Sequence, residues 1–329
     1  MLKSFWKEPE KTFLQKGFLG TNHLFKAFWR GAGNAFSLKK VPRRKYITQM
    51  QKKVIAVHDI SCVGRCSITV ALPVISAAGI ECSIIPTALL STHTGGFTGF
   101  TFLPLTEEMD KICSHLKTLG RPANAVYTGY LGSPDQIGAA TAIIEGLLAK
   151  GGTAIVDPVM GDGGRLYAGF DSRMVDAMRE LCGHASVIMP NITEASFLLD
   201  RPCPDTPPVP GEETEALLRE LSILGAKSVI LTGVHSDNGM IGAAYYDSVS
   251  GEIGYAMSTL HPGFYHGTGD VFGSAFTAAY VLGKGISAAT KAAVDFTGAV
   301  VKRTAEEGDD KKYGPVFEPL LGDFAAMMK

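Results

Sequence analysis

Short apolar runs alternate regularly with helical patterns, and this alternation limits the folds open to the chain more than any other feature. Six runs are rich in β-branched and small apolar residues, and Gly, Pro or polar residues bound each of them. Continuous apolar runs of this length are typical of strands buried on both faces. The predicted strands are Val54–Val57, Cys82–Thr87, Ala125–Thr128, Thr153–Asp157, Ser186–Pro190 and Ser228–Thr232.

Helical patterns separate and follow these strands. Thr106-Glu107-Glu108 and Ser133-Pro134 carry residues preferred at helix starts. Alternation of this kind predicts an α/β fold, a mainly parallel central sheet between two helical layers joined by right-handed crossovers. The predicted helices cover about 65–78, 106–119, 133–150, 171–182, 193–200, 211–225, 270–284 and 287–307.

The pattern changes after the sixth strand. Met240–Tyr246 and Ile253–Met257 flank a turn-rich stretch, which predicts a small β-hairpin flap. Neither an internal repeat nor a long linker divides the chain beyond this point. We therefore expect one domain over residues 50–329.

The first 49 residues differ from the rest in charge. They contain eleven Lys and Arg against two Glu, although the whole chain carries a net charge of only −1. They lack the apolar core of a secretory signal. We interpret residues 1–49 as a basic N-terminal extension outside the fold, with an amphipathic surface helix as the alternative.

Charge and hydropathy exclude several classes of partner. A net charge of −1 gives no reason to expect nucleic acid or a membrane surface as a partner, and no apolar stretch is long enough to span a bilayer. The six cysteines form no CxxC pair, which disfavours a zinc site and favours reduced thiols in the cytoplasm.

Polar or Gly-rich segments follow every predicted strand of the sheet. In open α/β sheets, ligands bind outside the carboxyl ends of the strands, so these segments should surround one site. His58 and His93 are candidates to contact a polar heteroaromatic substrate, with a purely structural hydrogen-bonding role as the alternative. The other candidates in these segments are Asp59, Thr94, Asp157, Asn191, Glu194, Thr232 and Gly233.

The run His266-Gly267-Thr268-Gly269-Asp270 opens directly into a small-residue helix pattern. Unpaired backbone N–H groups and the helix dipole favour an anion at such a start. The Asp270 carboxylate would lie beside it, where it can accept a proton from a hydroxyl group. This arrangement is what phosphoryl transfer to an alcohol requires. An ordinary Asp N-cap after a flexible turn is the alternative.

Two acidic residues are candidates for holding Mg²⁺, which prefers few carboxylates together with nucleotide phosphates. They are Asp157 and Glu194; the alternatives are a turn-capping Asp and a capping box formed by Asn191 and Glu194. Other nucleotide motifs are missing. The sequence has no GxxxxGK[ST] run, and Phe272 breaks the dinucleotide pattern after Gly267 and Gly269.

Several motifs together resemble the ribokinase superfamily. They are Asp157-Pro158-Val159-Met160-Gly161, Asn191-x-x-Glu194 and Gly267-Thr268-Gly269-Asp270. His93-Thr94, Gly129-Tyr130-Leu131-Gly132-Ser133 and Pro190-Asn191 narrow the resemblance to the vitamin kinases, and most closely to the pyridoxal (vitamin B6) kinases. The resemblance covers about Met50 to Phe317 and implies a ribokinase-like three-layer α/β/α sandwich.

The resemblance also implies a reaction, the ATP-dependent phosphorylation of the 5′-hydroxyl of pyridoxal, pyridoxine or pyridoxamine. Asp270 matches the family's catalytic base, and Gly267, Thr268 and Gly269 match its anion hole. Asp59 and Thr94 match positions of the vitamin pocket. The residues near Mg²⁺ and the nucleotide would be Asp157, Asn191, Glu194, Thr232 and Gly233. A homodimer is expected, and a requirement for a monovalent cation is left open.

The chain departs from the pyridoxal kinase pattern at two positions. It carries Asp59 where those kinases have Ser, and Gly95 where they often have Gln. Asp59-Ile60-Ser61 also resembles the Asp-Pro-Ser of hydroxymethylpyrimidine kinases, which usually have Cys rather than Asp270. A hydroxymethylpyrimidine kinase, a sugar kinase of the same superfamily and a non-catalytic vitamin-binding protein are therefore the alternatives. An acidic Asp59 also suggests a preference for pyridoxamine or pyridoxine over pyridoxal.

Overall fold

A computed structural model describes residues 51–308 and 310–329 of the chain. The predicted basic extension over residues 1–49 lies outside the described residues. Within the described part, no helix combines the length and the apolar character needed to cross a membrane.

The strands of the described part match the predicted runs and extend beyond most of them. They are β1 (Lys53–Val63), β2 (Glu81–Thr92), β3 (Phe102–Pro104), β4 (Ala123–Thr128), β5 (Leu148–Val156), β6 (Gly161–Asp162), β7 (Arg165–Leu166), β8 (Val187–Ile188), β9 (Ser228–Ser236), β10 (Met240–Asp247) and β11 (Ile253–Thr259).

Each predicted helix is present in the described part, with boundaries shifted by a few residues. The helices are α1 (Ile68–Ala77), α2 (Thr106–Thr118), α3 (Pro134–Leu147), α4 (Ser172–Gly183), α5 (Ile192–Leu198), α6 (Glu212–Ser222), α7 (Thr268–Val281), α8 (Ile286–Glu307) and α9 (Leu321–Met327).

One nine-stranded sheet organises the chain, in the order β11-β10-β9-β8-β5-β4-β1-β2-β3. The six strands from β9 to β2 in this order are parallel. The antiparallel hairpin β10–β11 extends one edge, and the three-residue strand β3 runs antiparallel along the other. The predicted α/β sandwich with a mainly parallel sheet and a small hairpin is confirmed.

Alternating residues of the central strands supply two separate cores. On β1, Ile55 and Val57 pack against α2 to α6, whereas Val54 and Ala56 pack against α1 and α7 to α9. Apolar side chains dominate both faces of these strands, which explains why the strands read as continuous apolar runs. The sheet is therefore covered on both sides, and the strand ends are left to form a site.

Helix starts follow local rules where the sequence predicted them. The Ser133 hydroxyl accepts a hydrogen bond from the Gln136 N–H at 3.3 Å, and Pro134 occupies the first turn of α3. The β6–β7 hairpin, β3 and the extension of β2 to Thr92 were not predicted. The β6–β7 hairpin and β3 are polar, glycine-rich or exposed, and the β2 extension mixes buried Ala88 and Leu90 with exposed Leu89 and half-buried Ser91 and Thr92, so no continuous apolar run marks these segments.

The C-terminal segment is bonded to the loops that follow β1 and β2. The Arg65 N–H donates to the Tyr313 carbonyl at 2.9 Å, and the Arg65 guanidinium contacts Glu318 at 2.8 Å. His93 Nε2 lies 2.6 Å from the Lys312 carbonyl. Residues from both ends of the described domain therefore meet at the same edge of the sheet.

Candidate active site

A cleft of about 710 Å³ opens at the carboxyl ends of the parallel strands. Its position is the one expected for a ligand site in an open α/β sheet. Ten of the thirteen predicted site residues line it, drawn from β1, the strand-end loops and α7. They are Asp59, His93, Thr94, Asp157, Asn191, Glu194, Thr232, Gly267, Gly269 and Asp270.

The turn before α7 is held in a shape that only glycine tolerates. Gly267 has φ of 83°, and a Cβ atom there would lie 2.2 Å from the Arg65 carbonyl oxygen. The Thr268 hydroxyl donates to the Tyr265 carbonyl at 3.1 Å, which fixes the turn from the other side. The first N–H groups of α7 consequently stand at a rigid, open helix start that suits an anion.

Asp270 lies in the first turn of α7, and its side chain is 18% exposed. Burial raises the pKa of this carboxyl to about 7, the Ser67 backbone N–H opposes the rise, and the negative charge of Asp59 adds to it. A carboxyl group with a pKa near neutrality can accept a proton and later release it.

Asp59 enters the cleft because β1 is irregular at this position. The pairing of β1 with β2 shifts register between His58 and Ile60, and such a bulge re-aims a side chain. The Asp59 carboxylate accepts hydrogen bonds from Ser67 at 2.5 Å and from Ser61 at 3.1 Å. Burial raises its pKa, and the two serine hydroxyls oppose the rise.

Glu194 lies in the first turn of α5 and forms a complete capping box with Asn191. Its carboxylate accepts the N–H groups of Asn191 at 2.9 Å and Met160 at 3.2 Å. The Asn191 amide is used at both ends, because its oxygen accepts the Glu194 N–H and its nitrogen donates to Gly161. The capping alternative is therefore present in the structure, and the same residues still line the cleft.

Asp157 follows β5 and faces the same wall of the cleft as Glu194. Burial raises the pKa of Asp157 well above its usual range, and the negative charges of Glu194 and Asp270 add to that effect. Burial likewise raises the pKa of Glu194 to about 8. Five carboxyl residues thus share one cleft, and no Lys or Arg among its described lining residues balances them: they are Asp59, Asp157, Asp162, Glu194 and Asp270.

The chemistry of Asp157 and Glu194 fits a magnesium ion bound together with phosphates. Both offer hard oxygen donors, and a divalent cation would relieve their mutual repulsion. No cluster of three or more His, Cys, Asp or Glu residues able to hold a metal occurs in residues 51–308 and 310–329. Two carboxyl groups leave coordination positions of such an ion open, which phosphate oxygens and waters would fill.

His93 uses both ring nitrogens inside the protein. The Gly95 N–H donates to Nδ1 at 3.2 Å, which assigns the proton to Nε2, and Nε2–H then donates to the Lys312 carbonyl. The ring packs edge-on against Phe97, with centroids 4.9 Å apart. His93 can therefore offer its ring surface to a ligand, and exposed Thr94 follows it on the cleft wall.

Three predicted residues, His58, Thr268 and Gly233, do not line the cleft. His58 is fully buried, with Nδ1 3.9 Å from the Asp270 carboxylate and its ring packed edge-on against Tyr127. Burial lowers its pKa to about 3, so the ring is neutral. The structure places it behind the cleft wall, and the prediction of direct substrate contact by His58 needs that correction.

Several residues that were not predicted complete the cleft. Ser67 and Cys66 come from the loop before α1, and Phe170 and Phe264 come from loops far apart in the sequence. Phe170 stacks on Tyr130 with centroids 5.8 Å apart and an interplanar angle of 16°. Isolated aromatic residues in loops carry no local pattern, so only the folded arrangement reveals this flat apolar wall.

Comparison with known proteins adds independent information. The sequence profile of the family described as phosphomethylpyrimidine kinase matches residues 67–317. A Bacteroides thetaiotaomicron protein named for the same enzyme, crystallised with pyridoxal, is 36% identical, with a TM-score of 0.78 over 84% of this chain and 96% of that one.

Relatives named as pyridoxal kinases are also similar along most of their lengths. The Lactobacillus plantarum pyridoxal kinase structure is 31% identical, with a TM-score of 0.76 over 85% of this chain and 98% of that one. A pyridoxal kinase of Paraburkholderia xenovorans is 28% identical over 79% of this chain and 90% of its own length. On this similarity and on the architecture described above, the chain belongs to the phosphomethylpyrimidine kinase family and has the ribokinase-like fold.

Proposed function

We propose that this protein is an ATP-dependent kinase that phosphorylates the 5′-hydroxyl of a vitamin B6 vitamer, namely pyridoxal, pyridoxine or pyridoxamine. The observation that carries the proposal is the half-buried Asp270 carboxyl at the glycine-fixed start of α7, inside a cleft shared with Asp59. The pyridoxal bound to the Bacteroides relative and the pyridoxal kinase names of other relatives support the choice of substrate.

In this proposal Asp270 is the general base. The vitamer hydroxyl oxygen forms a bond to the γ-phosphorus of ATP, and the bond from that phosphorus to the β–γ bridging oxygen breaks, so that ADP leaves. The hydroxyl proton passes to the Asp270 carboxylate. The pKa of about 7 suits this role, because roughly half of the free enzyme then carries the basic form near neutral pH.

The backbone N–H groups of Gly267, Thr268 and Gly269 would form the anion hole. Negative charge accumulates on the transferred phosphoryl group, and preorganised N–H donors stabilise it without reorganising during the reaction. The contact between Gly267 and the Arg65 carbonyl keeps this turn rigid. These residues supply positioning and charge stabilisation, which are the main demands of phosphoryl transfer.

Asp157 and Glu194 would hold Mg²⁺ on the nucleotide side of the cleft. When bound, the ion neutralises charge on the phosphates. Asn191 positions Glu194 through the capping box, and Thr232 with Gly233 stands at the end of the parallel part of β9, where we place the nucleotide. Repulsion among the carboxyl groups favours binding of the cation and the nucleotide together.

Asp59, His93 and Thr94 would contact the vitamer. A pyridine ring fits against the flat wall formed by Tyr130 and Phe170. The Asp59 carboxylate is an acceptor for a ring hydroxyl, an amino group or a protonated ring nitrogen. Of these groups only the amino group, that of pyridoxamine, is specific to one vitamer. The expected preference for pyridoxamine or pyridoxine over pyridoxal stays a prediction, and an unchanged vitamer ranking in Asp59→Ser would contradict it.

A hydroxymethylpyrimidine kinase is the second candidate function. The matching family profile is described as phosphomethylpyrimidine kinase, an activity on a related pyrimidine, and Asp59-Ile60-Ser61 resembles the motif of hydroxymethylpyrimidine kinases. The pyrimidine substrate is also a heteroaromatic ring with a primary hydroxyl, so the same base and anion hole would serve it. A non-catalytic vitamin-binding protein would bind a vitamer without consuming ATP.

The deciding experiment measures ADP release from Mg-ATP with pyridoxal, pyridoxine, pyridoxamine and hydroxymethylpyrimidine in parallel. Asp270→Asn is the control, because it preserves shape and removes the base. Turnover that depends on Asp270 with a B6 vitamer is the expected result. Turnover with the pyrimidine alone would establish the second candidate, and vitamer binding without turnover would establish a binding protein.

We further propose that two copies of the chain associate through the β2–β3 edge of the sheet. Large apolar side chains are exposed there, including Leu103 at 56%, Phe102 at 42% and Leu89 at 40%. The strand β3 is short and leaves its outer backbone groups available for pairing. A second copy would cover this apolar edge, and the expected assembly is a homodimer.

A further inference from the structure

Ser67 has a backbone conformation that serine rarely adopts. Its φ is 50° and its ψ is −129°, and among the described non-glycine residues only Asp200 shares a positive φ. A side chain in this region of backbone space is strained, and glycine would relieve the strain. Residues held in such conformations cluster at functional sites, so the position calls for a physical explanation.

The Ser67 hydroxyl does not perform the local function expected of it. Ser67 is the N-cap of α1, where a serine side chain usually accepts an N–H of its own helix, yet that bond is missing. Its hydroxyl instead donates to Asp59 at 2.5 Å. Only its backbone carbonyl serves the helix start, accepting the N–H groups of Val70 at 3.1 Å and Ala71 at 2.9 Å.

The backbone N–H of Ser67 faces the other functional carboxylate, that of Asp270. Ser67 therefore contacts one carboxylate from β1 through its hydroxyl and one from α7 through its N–H. The residue is 7% exposed and lines the cleft. A relaxed backbone at this position would not direct both donors to these two groups.

We infer that Ser67 is a positioning residue that fixes the Asp59 carboxylate toward the vitamer while its backbone secures Asp270. The inference rests on the proposed kinase function and assigns a substrate-orienting role within it. The serines 67 and 61 each occupy one oxygen of Asp59. Each carboxylate oxygen of Asp59 can accept a second hydrogen bond, and a donor group of the ligand can supply it.

Loss of the hydroxyl should affect the two substrates differently. Without it, the Asp59 carboxylate is held by Ser61 alone and loses its shorter charge-assisted hydrogen bond, so the vitamer meets a less well oriented partner. Asp270 keeps its N–H donor in any variant that preserves the backbone. The vitamer KM should therefore rise while kcat and the KM for ATP stay nearly constant.

The test compares Ser67→Ala and Ser67→Gly with the wild type, with Ser222→Ala as a matched control. In Ser222→Ala, a hydroxyl that donates to the Arg219 carbonyl at the exposed end of α6 is removed, and Ser222 does not line the cleft. We expect both Ser67 variants to raise the vitamer KM about tenfold, the scale for losing a hydrogen bond to a charged group, with kcat changed less than about threefold. Thermal unfolding should place Ser67→Gly above Ser67→Ala, because glycine removes the strain.

The outcomes separate this inference from the proposed function. An unchanged vitamer KM in both Ser67 variants of an active enzyme would overturn the inference alone, as would a uniform fall in kcat for every substrate. If the Ser67 variants unfold at a lower temperature but the vitamer KM does not rise relative to kcat, Ser67 only stabilises the fold and the inference is wrong. If the wild type phosphorylates no vitamer, the proposed function fails and the inference fails with it.

Discussion

Replacing Gly267 by alanine should damage the fold and the proposed anion hole together. Gly267 has φ of 83°, and the new Cβ would lie 2.2 Å from the Arg65 carbonyl oxygen and 3.2 Å from Pro315 Cδ. The left-handed backbone costs alanine about 1–2 kcal/mol. The contact with Arg65 involves backbone rather than a flexible side chain, and relieving such overpacking typically costs about 1–3 kcal/mol more.

The two contributions sum to a loss of about 2–5 kcal/mol in the free energy of unfolding. For a domain of this size each kcal/mol lowers the unfolding temperature by about 2–4 °C, so a fall of roughly 4–20 °C is expected. Gly269 provides the control in the same turn. It has no positive φ and nothing within 4 Å of its Cβ position, so alanine there should raise stability by about 0.5–1 kcal/mol.

Circular dichroism on heating measures both variants against the wild type, and ADP release measures kcat for Gly267→Ala. The expected order of unfolding temperature is Gly269→Ala, wild type, then Gly267→Ala well below both. Equal unfolding temperatures for the two variants would refute the reasoning, because they would show that neither the φ of Gly267 nor the Arg65 contact constrains the turn.

Four further predictions concern the carboxyl groups, the sheet edge and the N-terminal residues. Asp270→Asn should lower kcat about 10²–10⁴-fold. The pKa of the Asp270 carboxyl is about 7 in the folded protein and 3.8 in the unfolded chain, so between these pH values the folded protein binds the proton more tightly. The stability that Asp270 contributes therefore falls as pH rises from about 4 to about 7. Asp270→Asn should accordingly raise the unfolding temperature more at alkaline than at acidic pH. Glu194→Ala leaves two N–H groups without their acceptor and should cost about 2–4 kcal/mol in urea unfolding, with Glu194→Gln much milder. Leu103→Asp should convert a dimer into a monomer in sedimentation velocity, and no change in mass would contradict the β2–β3 interface. A chain shortened to begin at Met50 should keep full activity in the ADP assay, and a loss would show that the domain needs residues 1–49.

The fold could be predicted from sequence because its signals are local and repeated. Val54–Val57 and Ser228–Thr232 are apolar enough to mark buried strands on their own, and Ser133-Pro134 marks a helix start without reference to the rest of the chain. The strand β3 could not be predicted in this way. Its three residues are all exposed, and its pairing with β2 is set by tertiary structure alone.

The sequence predicted the site residues that lie close together in one turn, but not those that only tertiary packing brings together. Gly267 and Asp270 lie three residues apart, so the sequence shows them together. His58 and Asp59 are adjacent, yet the register shift in β1 sends Asp59 into the cleft and leaves His58 buried against Tyr127. Ser67 gave no sequence signal, because it lies inside the helix predicted over about 65–78, whereas the observed helix begins at Ile68.

The bonds between Arg65 and the segment around Tyr313 have a consequence for the order of events during synthesis. Arg65 leaves the ribosome roughly 250 residues ahead of its partners Tyr313, Gly314 and Glu318. The Gly267 turn also rests on Arg65 and Pro315. The nascent chain can thus form much of its sheet before residues 313–318 have been made, but the Gly267 turn gains its support only after these residues have emerged.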